Sequence, residues 1–175
     1  GYSDQGGGIY LSESITEITN VTIIGNSSIE GGGMHLYWSF PSLKNVIITD
    51  NSSTDYGGGI YCVSSSPSLE NVIISGNSSS DDGGGICCMY GSDPSLKNIM
   101  ISDNSAEGSG GGMYFFTSVP TLMMNVTIKG NMAGDYGGGM CISLTEGVNL
   151  SNVTISGNTA GEKGGGIFHG DNGFT

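Results

Sequence analysis

Apolar and polar residues alternate along this chain in short bursts, and the bursts recur at fixed places. In residues 57–82, GGGIYCVSSSPSLENVIISGNSSSDD, Ile60 and Cys62 alternate with their neighbours, which is the period of a β-strand. The first inward column reads Ile9, Met34, Ile60, Ile86, Met113, Met140, Ile167. The second reads Leu11, Leu36, Cys62, Cys88, Phe115, Ile142, His169. Between them runs a column expected to face outward: Tyr10, His35, Tyr61, Cys87, Tyr114, Cys141, Phe168.

A Ser-rich turn follows, usually with Pro (Pro41, Pro67, Pro94, Pro120). Then comes an apolar column of Ile18, Leu43, Leu69, Leu96, Leu122 and Leu150. An Asn column stands just beyond it: Asn20, Asn45, Asn71, Asn98, Asn125, Asn152. The next residue is apolar again, as in Val21, Val72 and Val153. Leu, Asn and Val cannot all point inward from one straight strand, so the chain is expected to bend at the Asn. Ile23, Ile48, Ile74, Ile101, Ile128 and Ile155 point inward beyond the bend. A second Asn column closes the strand: Asn26, Asn51, Asn77, Asn104, Asn131, Asn158.

The unit opens with Gly-Gly-Gly before Ile or Met, starting at Gly6, Gly31, Gly57, Gly83, Gly110, Gly137 and Gly164. The spacings are 25, 26, 26, 27, 27 and 27. Each unit predicts three short strands separated by corners. No 3.6-residue period survives, which excludes helical repeats. Successive units must stack strand on strand, parallel and in register, about 4.8 Å apart. The fold class is all-β: a right-handed parallel β-helix of about seven turns, its hand following from the crossover rule. Residues 1–175 form one domain, expected to be an excerpt of a longer solenoid without its own caps. Stacked Asn amides can bond to the turns above and below and tolerate the left-handed conformation of a corner. The glycines allow tight bends and close backbone approach.

Composition narrows the functions. Four Lys, no Arg and sixteen acids give a net charge of −12, which argues against nucleic acid. No stretch approaches the roughly 18 apolar residues of a membrane-spanning helix, so this segment is not expected to insert.

The glycine and Asn motifs resemble the polymorphic outer membrane protein repeat of bacterial autotransporters. That family alternates Gly-Gly-Ala-[Ile/Leu/Val] with Phe-x-x-Asn. Here the counterparts are Gly-Gly-Gly-[Ile/Met] and Ile-x-x-Asn, as in Ile23-Ile24-Gly25-Asn26. The chain is closer still to the Gly-Gly-Gly-Ile-Tyr and Asn-Val-Thr-Ile-Ser-Gly-Asn repeats of large bacterial surface proteins. The resemblance implies a pectate-lyase-like β-helix in a cell-surface or secreted protein, a fold that hosts adhesins, stalks and polysaccharide lyases alike.

Candidate chemistry is sparse. The loop before each glycine triplet carries acids, among them Asp55, Asp81, Asp82 and Asp135, which offer Ca²⁺ a row of carboxylates along one edge. The competing reading is a solvated acidic edge. Outward Tyr10, Tyr61 and Tyr114 could stack on glycan rings, or on one another. Cys62 and Cys88 fall on adjacent turns within disulfide reach, but parallel stacked side chains do not naturally adopt the required dihedral, and buried thiols are expected. Cys87 and Cys141 are expected outward. No catalytic residues are assigned: Asp50 and Asp103 share a column two turns apart with Gly76 between them, and the four Lys do not converge on Asp pairs. Seven Asn-x-Ser/Thr sequons, beginning at Asn20, Asn26, Asn51, Asn77, Asn125, Asn149 and Asn152, read as by-products of ladders with buried amides.

The expected function is a non-catalytic extracellular segment of a bacterial surface or secreted protein. It would act as a rigid stalk or adhesin meeting glycans or a neighbouring cell surface, with end-to-end self-association through open strand edges. The alternative is a fragment of a polysaccharide lyase or glycoside hydrolase.

Overall fold

A computed structural model describes residues 2–144 and 148–170. Three parallel sheets run the length of the molecule. Sheet 1 collects the short strands after the second Asn column, such as Ser52–Ser53 and Ser78–Ser79. Sheet 2 collects the strands after the glycine triplets, such as Ile60–Val63 and Ile86–Met89. Sheet 3 collects the strands that pass through the first Asn column, such as Ser68–Ser75 and Ser95–Ser102. Sheets 1 and 2 have seven strands each. Sheet 3 has eight segments, but Glu17–Thr19 with Thr22–Ile24, and Ser42–Lys44 with Ile47–Thr49, are halves of interrupted strands. Seven glycine triplets therefore bound about six full turns, not seven.

The register confirms the columns. Ile60 lies between Met34 and Ile86, and Cys62 between Leu36 and Cys88. Ile74 lies between Ile48 and Ile101. These side chains form one continuous apolar core inside the coil. One column slips. An extra residue after Pro120 sets Ser95 opposite Leu122 and Leu96 opposite Met123. Met123 is buried in the core, and Leu122 is exposed.

Corners are made by residues with positive φ, and each corner is itself a column. The first Asn column bends as expected: Asn20, Asn45, Asn71, Asn98, Asn125 and Asn152 all have φ between 53° and 58°. Leu69 and Val72 thus both point inward while Asn71 points out. A second such column is made of Gly and Asp: Gly25, Asp50, Gly76, Asp103, Gly130 and Gly157. Asp50 and Asp103 occupy places where the backbone asks for Gly or a short polar residue.

At every position of the Gly57–Gly59 triplet a Cβ would meet backbone, and the first glycine also has a positive φ. Gly57 has φ 65° and reverses the chain. Gly58 meets the backbone of sheet 1 one turn on: a Cβ there would collide with the carbonyl oxygens of Ser78 and Gly84. Gly59 is closed off by the next turn as well: a Cβ there would lie 2.5 Å from the Gly85 carbonyl oxygen and 3.2 Å from the Asn77 amide.

Candidate functional site

The Tyr10–Phe168 column is in register, but its face is not open. Tyr61 is 5% exposed and Tyr114 3%; His35, Cys87 and Cys141 are buried as well. The loop ahead of each triplet reverses at the first glycine and lies over the outer face of sheet 2. Tyr56 stacks on Tyr61 at 5.6 Å, and Tyr136 on Phe168 at 4.7 Å. Val63, Met89 and Phe116 close the other side, making a second apolar cluster outside the coil. The Tyr61 hydroxyl donates to Met89 Sδ at 3.5 Å, and burial pushes its pKa up. The outward exposure expected of Tyr61, Tyr114, Cys87 and Cys141 is corrected accordingly. Tyr10, in the first turn, stays 45% exposed and meets His35 edge-on at 5.3 Å. The sequence did carry a signal: IYCV, ICCM and MYFF are unbroken apolar runs, the mark of strands covered on both faces.

All four cysteines are free and buried. Cys62 and Cys88 pair across sheet 2 inside the coil, and burial pushes the Cys87 and Cys88 thiols up.

The loop acids are strung out, not gathered. Asp135 is exposed, and Asp55 and Asp81 are half-buried. Asp81 accepts a hydrogen bond from the Tyr56 hydroxyl, whose pKa is pushed up to about 12, chiefly by burial. Asp82 turns inward. Its Oδ1 accepts the Ser109 N–H at 2.6 Å, and Tyr114 bonds to the same carboxylate. Burial, then repulsion from Asp81 and Asp135, raises its pKa to about 6. Among the described residues no three His, Cys, Asp or Glu side chains form a group that could hold a metal ion.

Three side-chain ladders run along the axis. In the inner Asn ladder Asn26, Asn51, Asn77, Asn104, Asn131 and Asn158 pass amide hydrogen bonds of 2.9–3.1 Å from turn to turn. Each from Asn51 onward also donates its amide to a core-strand carbonyl, as Asn77 does to Ile48 at 3.0 Å. The outer ladder, Asn20 through Asn152, repeats amide bonds of 3.0–3.1 Å in the opposite direction. Its amides are exposed, so the burial expected at the Asn20, Asn125 and Asn152 sequons is corrected. The third ladder is serine, at the Pro corner. The N–H groups of Ser14, Ser39, Ser65 and Ser92 each donate to the hydroxyl of the next serine, ending at Ser118, at 2.9–3.1 Å. Read as a polar turn, this corner gave no hint of burial; the recurrence of Ser before each Pro was its only trace.

Among the hollows on the described surface, two span successive turns. The longer, about 660 Å³, runs along sheet 1 across several turns. Its floor is small residues such as Ser28, Ser53, Ser79, Ala106 and Ala133, with Glu107 and Met132 at one end. The shorter, about 440 Å³, lies at the Pro corner of the first two turns, between Glu13–Ile15 and Tyr37–Phe40. Neither was anticipated from the pattern of columns.

The family model described as a right-handed β-helix region matches residues 8–175. No curated protein and no solved structure matches the sequence.

Proposed function

Because the chain belongs to the right-handed β-helix family, we propose that it is a rigid, non-catalytic rod in a bacterial cell-surface or secreted protein, displaying its flanks to glycans. The observation that carries this reading is the unbroken inner Asn ladder. Each rung is tied to the next by backbone, core and amide at once, so bending any two turns apart breaks all three together. A chain built this way transmits length. The flank along sheet 1 is lined with hydroxyls, which both donate and accept and so suit sugar hydroxyls.

Two measurements test this. Single-molecule pulling should give a high, cooperative rupture force, because a shear of the stack must break many parallel bonds together. A glycan array read with Ca²⁺ and with EDTA should show binding. Silence under both conditions would leave a spacer only. Release of unsaturated or reducing sugar ends from any bound polysaccharide would overturn the non-catalytic reading.

A further inference from the structure

The Pro corner of the second turn carries side chains that folding does not account for. Trp38, the only Trp in the chain, is 54% exposed, and Phe40 is 52% exposed. Trp38 also has φ 48°, a conformation that bulky residues avoid. The corner imposes that angle on every described turn: Glu13, Ser64, Tyr90, Thr117 and Leu144 hold it too. It does not impose the aromatic. One turn on, the same two places are filled by Ser64 and Ser66, with the serine ladder intact through Ser65. Two large exposed rings at positions that serine serves equally well point to a ligand.

The cleft of about 440 Å³ between the two turns is lined by Tyr37, Trp38, Phe40 and Ile15, with Glu13 and Ser14 supplying its polar atoms. The size falls in the range of small-ligand sites. An aromatic face is electron-rich and attracts the C–H bonds of an apolar ring face. A carboxylate such as Glu13 only accepts hydrogen bonds, so it selects a partner with donors. A net charge of −12 repels acidic chains and also a second copy of this one. A flat face of C–H bonds, a rim of hydroxyl donors and no negative charge describe a neutral pyranose.

We propose that the cleft formed by Glu13, Trp38 and Phe40 binds a neutral sugar, with the ring face on the aromatics and a ring hydroxyl donating to Glu13. The proposal rests on the glycan-displaying reading above and gives it a site.

Trp38 reports on the site directly. Its emission would be titrated with cellohexaose, chitohexaose, polygalacturonate and tetramethylammonium chloride. The expected result is a saturable change with a neutral hexasaccharide and none with the other two. Trp38→Ser and Phe40→Ser copy the next turn, so they should keep the fold and its melting temperature. Each should weaken binding, read by calorimetry, at least tenfold; Tyr90→Ser, at the same corner two turns further, should leave it unchanged. Saturation by tetramethylammonium alone, or hexasaccharide binding unaffected by Trp38→Ser and Phe40→Ser, would overturn the proposal. Array binding that survives both substitutions would remove the cleft but keep the glycan-displaying rod. Absence of any glycan binding would remove both, leaving a spacer.

Discussion

Asn51 gives two hydrogen bonds to one oxygen of Asn77: its backbone N–H and its side-chain amide both reach Asn77 Oδ1 at 3.0 Å. Asn77 does the same to Asn104 and also donates to the Ile48 carbonyl. Truncating Asn77 to Ala therefore strands several buried polar groups at once. We expect a loss of roughly 3–5 kcal/mol in urea unfolding. Asn71 in the outer ladder is exposed, and water replaces its bonds. Asn71→Ala should cost only about 1–2 kcal/mol, mainly for its positive φ, and Asn71→Gly less still. Equal costs at the two ladders would refute this division of roles.

The glycines separate steric from conformational need. Gly58→Ala forces a methyl against the backbone of sheet 1, where nothing can yield. It should abolish folding or lower the melting temperature by more than about 6–12 °C, the scale of a loss above about 3 kcal/mol. Gly91 has φ 73° and open space around it. Gly91→Ala should cost only about 1–2 kcal/mol. Circular dichroism melts of the two variants decide the matter.

Asp82 is a built-in source of weakness at neutral pH. Its folded pKa, about 6, lies above its ordinary value, so folding favours the protonated form. The cost of charging it is absent below about pH 4 and complete above about pH 6, and stability falls as pH rises through that window. Asp82→Asn keeps an oxygen for the Ser109 N–H and removes the charge. The variant should be more stable than the parent by about 1–3 kcal/mol at pH 7.5 and equal to it near pH 3.5. A gain that does not vary with pH would contradict the assignment.

His35 works in the opposite sense. It is 2% exposed, lies edge-on to Tyr10 and Tyr61, and has no hydrogen bond at either ring nitrogen. Glu30, held by Gln5, stands 3.6 Å from Nδ1. Burial lowers the His35 pKa, and Glu30 only partly offsets this. The stability contributed by the neutral ring is present above pH 6.5 and is lost as pH falls below it. His35→Phe fills the same slot without polar nitrogens. It should stabilise the protein by roughly 1–2 kcal/mol at pH 7.5 and by more at pH 5.5. Unfolding curves at the two pH values check both the sign and the trend.

Much of the coil was legible because stacking is in register: Ile60, Ile86 and Met113 are column-mates in sequence and neighbours in space. The positive φ of Asn71 followed from needing Leu69 and Val72 on one side. Hidden from the same reasoning was anything that depends on a loop folding across a sheet. Alternation tells that Tyr61 points away from the coil, but not that Tyr56 returns to cover it. Leu122 was misassigned because column counting assumed a constant spacing from Pro to the strand. The cleft at Trp38 was illegible for a related reason: exposure at a corner depends on how far neighbouring turns overhang it.

The repeat-length variation has a consequence for how such a chain evolves. The extra residues at Gly91 and Thr121 sit at the Pro corner, while every triplet and inner Asn keeps its partner above and below. A duplicated or deleted stretch of one period meets the same interfaces it left behind. Recombination between neighbouring copies can therefore lengthen or shorten the molecule without redesigning its joints, while the solvent-facing corners diversify independently.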